Sequence, residues 1–198
     1  MNKFTFFKKI ENYFHYVLFL VFLLLCWSII PDFGVTLDDQ FYYSNGVNTY
    51  EYVKNFFLNL FKNEINLEEY RSKLKEWPII FELLLVLISK LFNINEMEKI
   101  YLVSHQLNFI IFFVSLMYFH KLIYQRFNSY ILATLSIFFL VLSPRIFAES
   151  FYNSRDIFFM SLFIFFIYYC YQYLEKNNLS NIFKLSIISA LLINTKIL

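Results

Sequence analysis

Glycine and proline are scarce in this chain, with 2 and 3 residues among 198. So few glycines leave no Gly-rich phosphate loop, and no soluble nucleotide-binding domain is readable. Cysteine is equally scarce. Cys26 and Cys170 both lie inside apolar segments, so neither a disulfide framework nor a zinc site can be read from them. Charged residues make up 16%, where soluble domains carry about 25%. The net charge of +2 points to no nucleic-acid partner. What the chain has instead is apolar mass, with 59% hydrophobic and 23% aromatic residues. That is the composition of a membrane protein.

Crossing a hydrocarbon core of about 30 Å takes roughly 20 apolar residues. Residues 14–30, 100–119, 130–142 with their flanks, and 157–174 qualify, and 182–193 are apolar too. The expectation is an all-α polytopic bundle of about five spans. Leu25 before Cys26 is too large for a lipoprotein cleavage site, and no small-x-small site follows residue 30, so the first span is read as retained. Residues 79–92 are too short to cross and carry Glu82, Ser89 and Lys90, which suits a re-entrant or interfacial helix.

Lys3, Lys8 and Lys9 place the N-terminus in the cytoplasm by the positive-inside rule. If 79–92 does not cross, Lys121 and Arg126 share a cytoplasmic loop, and so do Lys176 and Lys184. The outer side then holds a long segment, 31–99, and a short loop from Ser143 to Asp156. Within the long segment Val53, Phe56, Phe57, Leu60 and Phe61 recur at helical spacing, with Lys54, Asn55, Asn59 and Lys62 opposite. This pattern predicts an amphipathic helix lying in the interface. His15 and His120 flank spans and read as interface residues.

Three acids stand at the outer face: Asp38, Asp39 and Asp156. Carboxylates so near a bilayer are read first as functional, as a base or a metal ligand. A second reading stays open for each. Thr36-Leu-Asp-Asp39 has capping-box spacing, and Asp156 can serve the start of its own helix. Glu76-Trp-Pro78 opens the short apolar helix, as an acid for a site or as a solvated neighbour of a Trp anchor. Arg145 and Arg155 share the second outer loop, and a guanidinium fork matches a phosphate. Pairing with Glu149 or with lipid headgroups accounts for them equally well. His105, Gln106 and Asn108 make the outer end of the second span polar, facing a cavity or bonding between helices.

The order of these features resembles the GT-C glycosyltransferases, in the branch of the protein O-mannosyltransferases and lipid A aminoarabinose transferases. Leu37-Asp-Asp-Gln-Phe-Tyr42 is similar to the family's Asp-Glu signature, with Asp39 in place of Glu. Glu76-Trp-Pro78 is similar to its Glu-x-Pro start of a juxtamembrane helix, and Asn153-Ser-Arg-Asp156 falls where it has a second outer-loop acid. Asn194-Thr-Lys196 looks like its Thr-Lys pair, and His105 or Gln106 stands in the region of a family Arg. Family members have more than ten spans. The resemblance therefore implies that residues 1–198 form the N-terminal part of such a module, partnered by the remaining part.

The resemblance further implies transfer of a sugar from a polyprenyl-phosphate carrier at the outer membrane face, with inversion. Asp38 would be the base. Asp39 and Asp156 would be catalytic with it, Asp156 and Glu76 would orient the acceptor, His105 would bind substrate, and Arg145 and Arg155 would hold the carrier phosphate. A divalent cation, if used, would sit at Asp38 and Asp156. The competing expectation is a non-catalytic membrane subunit, a scaffold or transporter part, or an inactive fragment. A transporter would place its ionisable groups near the midplane.

Overall fold

The computed structural model describes residues 3–36, 38–60 and 80–195, all helical apart from turns and short connectors. The helices are α1 (Lys3–Ile29), α2 (Asp39–Leu60), α3 (Ile80–Leu91), α4 (Met97–Phe127), α5 (Tyr130–Val141), α6 (Pro144–Tyr152), α7 (Ser154–Glu175) and α8 (Leu179–Thr195). A single 3-10 turn, Ile30–Asp32, ends α1, with Pro31 in its first positions. The chain is thus an all-α membrane helix bundle.

Among the described residues three stretches are long and apolar enough to cross a membrane: His15–Asp32, Met97–Phe127 and Ser154–Glu175. They correspond to the first, second and fourth expected spans. The third departs from expectation. Tyr130–Val141 is only 12 residues, about 18 Å of helix, and bends by 73° into Pro144–Tyr152. The two together count as one broken span, making four. α8, at 17 residues, falls just short of the crossing length. Against the about five spans expected, the described residues hold three that are long and apolar enough, or four with the broken pair.

The expected outer loop from Ser143 to Asp156 is corrected as well. Pro144 opens a new helix there, because proline at a first turn needs no N–H partner. Phe151 of that helix is fully buried and stacks on Phe109 of α4 at 5.4 Å between centroids. Around them gather Cys26, Ile30, Phe112, Leu116 and Ile157, the main core. A second cluster joins Phe81 of α3 to Phe158 and Leu162 of α7, with Leu191 and Leu192 of α8 against it. Elsewhere the long helices turn leucine and phenylalanine outward: Leu24, Leu25, Phe139 and Phe163 are exposed. Such a belt belongs against lipid.

α2 begins at Asp39 and runs through the amphipathic stretch expected around Phe56; Phe61 lies outside the described residues. α3, at 12 residues, spans about 18 Å and is too short to cross alone. α2 and α3 meet at Gly46. A Cβ there would come within 2.8 Å of Glu82 Cβ and 2.9 Å of its carbonyl oxygen. Any side chain at Gly46 would push the two helices apart, so this glycine sets how closely Glu82 approaches α2.

His15 and His120 meet inside the bundle. Both are buried, 6% exposed, with their rings stacked at 4.7 Å. They lie far apart in sequence, and only the packing of α1 on α4 brings them together.

Candidate functional site

The site starts at the beginning of α2. The Thr36 backbone N–H donates to Asp39 Oδ2 at 2.8 Å, and the Asp39 N–H returns to the Thr36 carbonyl at 3.2 Å. Asp39 thus fills the acid position of a capping box. Asp38 has no such duty. It is exposed in the turn, and its Oδ2 accepts from the Tyr42 hydroxyl at 3.3 Å, a long contact that leaves the carboxylate open.

Tyr42 links this turn to α7. The Arg155 guanidinium carbon stands 3.5 Å from the centre of the Tyr42 ring, a close cation–π contact. Burial lifts the Tyr42 hydroxyl above its ordinary pKa, against the pull of Arg155. Arg155 reaches across from the first turn of α7, where Asn153 caps the helix. Here Asp156 plays the part that Asp39 plays in α2. Its N–H donates to Asn153 Oδ1 at 3.1 Å, and its Oδ2 accepts from Asn153 Nδ2 at 3.2 Å. Asp39 and Asp156 both hold helix starts, whatever else they do.

Glu82 closes the cluster. It is 4% exposed, and its Oε1 has no hydrogen-bond partner. Desolvation raises its carboxyl from 4.5 to about 7, while the nearby Arg155 charge pulls the other way. Glu82 and Ser154 line two adjoining small cavities. One is completed by Asp39, Tyr42 and Tyr101, the other by Arg155 and Thr195. Thr195, from the Asn194-Thr-Lys196 motif, is thereby brought to the site from the far end of the chain.

The remaining expected residues sort differently. His105 is buried in α4, its Nε2 without a hydrogen-bond partner, and Asp39 is its electrostatic neighbour. Asn108 serves packing: its Nδ2 donates to the carbonyls of Glu149 at 3.3 Å and Ser150 at 3.0 Å, tying α4 to α6. Arg145 is largely exposed and pairs with Glu149 at 2.8 Å along its own helix, a surface pair of small energetic consequence. Glu76, Pro78 and Lys196 lie outside the described residues. Among the described residues no three His, Cys, Asp or Glu side chains come together as metal ligands, so Asp38 and Asp156 gain no further ligand there.

No family model, curated protein or solved structure matches this chain. The chemistry must be read from the groups themselves. An open carboxylate, a phenol, a guanidinium and a buried carboxyl that holds its proton near neutrality meet at one end of the bundle. Such a set can accept a proton at Asp38 and stabilise negative charge near Arg155.

Sequence reasoning passed over two members of this set. Tyr42 enters the sequence reading only as the end of the 37–42 stretch, and Glu82 only as a mark that its helix does not span. The available signal for Glu82 was an acid in the first turn of a helix that is apolar from Leu83 to Ile88.

Proposed function

We propose that the chain belongs to a membrane glycosyltransferase of the GT-C type, moving a sugar from a polyprenyl-phosphate carrier to an acceptor, with inversion, at the outer face. The observation that carries this reading is the meeting of Asp38, Tyr42, Arg155 and Glu82 at one end of a lipid-facing bundle. Surface chemistry on a lipid-borne substrate needs its polar groups at one face, and a transporter would hold them near the midplane. Lys3, Lys8 and Lys9 in the first turns of α1 and the basic residues at the other end of α4 favour the cytoplasm for that other end.

In the reaction the acceptor hydroxyl gives its proton to the Asp38 carboxylate. Its oxygen bonds to the anomeric carbon as the bond from that carbon to the phosphate oxygen breaks. The electron pair leaves with the polyprenyl phosphate, whose charge Arg155 offsets. Arg155 is preferred to Arg145 for this role because it stands on Tyr42, which also contacts Asp38, whereas Arg145 lies exposed along α6. Tyr42 orients both Asp38 and Arg155.

Arg155→Gln is expected to raise the KM for the carrier by about 10- to 100-fold, the range for a hydrogen bond to a charged group. The acceptor KM should change little, and Arg155→Lys should recover part of the loss. Steady-state kinetics with each substrate varied in turn measures this. Equal effects on carrier and acceptor would remove Arg155 from the phosphate role.

A further inference from the structure

At the end of the bundle opposite Asp38 lies a second polar site. The stacked pair His15 and His120 is extended by Tyr130, 5.1 Å from His15 between ring centroids, and by Tyr124, 4.1 Å from Tyr130. His120 is 6% exposed, yet its Nε2 makes no hydrogen bond. A cavity of about 400 Å³ opens beside these rings, with Lys121 in its wall. A groove of about 220 Å³ leaves from the same two histidines. It runs along α1 and α5 past Phe22, Leu25 and Phe138, and its lining is apolar. Leu25 and Phe138 are exposed on the bundle surface, so the groove opens towards lipid.

A polar chamber and an apolar groove joined at one pair of side chains match an amphiphile, with its headgroup in the chamber and its chain in the groove. His120 sits about 10 Å along the axis from the end of α4, two turns from the end of a span rather than at its middle. The charge at this end selects the sign of the headgroup. Lys121, Arg126, Lys176 and Lys184 stand there against Glu175, and α1 begins on the same side with Lys3, Lys8 and Lys9 against Glu11 in its sequence. An excess of cations attracts an anionic lipid, and a zwitterionic one gains little from it.

We propose that this end of the bundle binds one anionic glycerophospholipid, its phosphate held by Lys121 and His120 and one acyl chain lying in the groove. The site is separate from the one at Asp38 and stands whether or not that site transfers sugar.

The test uses the full chain purified in detergent and exposed to phosphatidylglycerol or phosphatidylcholine, with retained lipid counted by native mass spectrometry. The unsubstituted protein should retain phosphatidylglycerol in preference. Lys121→Gln should weaken that retention about fivefold, as expected for one interfacial cation, and His120→Gln should weaken it as well. Arg126→Gln, a cation at the same end outside the cavity, should weaken it far less than Lys121→Gln. Lys121 is exposed, so its variant reports even if His120→Gln fails to fold. Equal retention of the two lipids would overturn the proposal. So would an Arg126→Gln loss as large as that of Lys121→Gln, which would mean general surface attraction. Retention of inorganic phosphate in place of lipid would overturn it too.

Discussion

Asp38→Asn is expected to lower glycosyl transfer by about 10² to 10⁴-fold, the usual cost of losing a general base, while leaving expression and melting temperature unchanged. Of the three acids at this end, Asp38 is the one without a capping role. Its carboxylate is exposed, and its contact with Tyr42 at 3.3 Å is one that an asparagine oxygen can also accept. The amide keeps the shape and loses the capacity to take the acceptor's proton. Asp39→Asn makes the informative contrast. Asp39 accepts the Thr36 N–H at 2.8 Å in the cap of α2, so weakening it should lower stability together with activity. Measuring turnover and thermal melting on both variants separates the two roles. An Asp38→Asn protein with near-normal turnover would remove Asp38 from the base role.

The second large effect concerns Glu82 and pH. Its carboxyl titrates at about 7 in the folded protein, lifted by burial from an ordinary 4.5. Between those values the unfolded chain has lost the proton and the folded chain retains it. Folding is therefore favoured most at acid pH, and stability falls as pH rises from about 4.5 to about 7, then levels off. The gap corresponds to about 3 kcal/mol. Glu82→Gln keeps the buried shape and removes the titration. Its melting temperature should fall less than that of the unsubstituted protein between pH 5 and pH 8, and at pH 8 it should melt higher. Parallel melting curves across that range would show that Glu82 is not held protonated by the fold.

The long helices were legible because hydrophobic length is a local property. α1, α4 and α7 are each near or above the crossing length and carry few charges, so counting residues found them. The break between α5 and α6 was not legible in the same way. Arg145, Glu149, Ser150 and Asn153 make that stretch read as a polar loop, and only the packing of Phe151 on Phe109 shows why it folds as a helix against α4. The helix starts at Asp39 and Asp156 follow from spacing alone, since a residue three positions after Thr36 or Asn153 is placed to reach back.

Glu82 and the histidine pair depend on tertiary contacts. Glu82 is buried because Gly46 lets α2 approach within reach of its Cβ, and nothing in the segment around residue 82 contains that information. His15 and His120 each look like the polar end of a span, and their stacking arises only when α1 lies on α4. Arg155 was read as a phosphate ligand from its charge and its side of the membrane. Its partner Tyr42 lies on another helix, and no spacing rule connects them.

Whether the cluster at Asp38 works on a lipid-borne sugar is decided by the donor it accepts. The full chain, reconstituted in bilayers with an acceptor hydroxyl, should turn over a polyprenyl-phosphate sugar and leave a nucleotide sugar untouched. Turnover of the nucleotide sugar, with none of the polyprenyl-phosphate sugar, would contradict this reading.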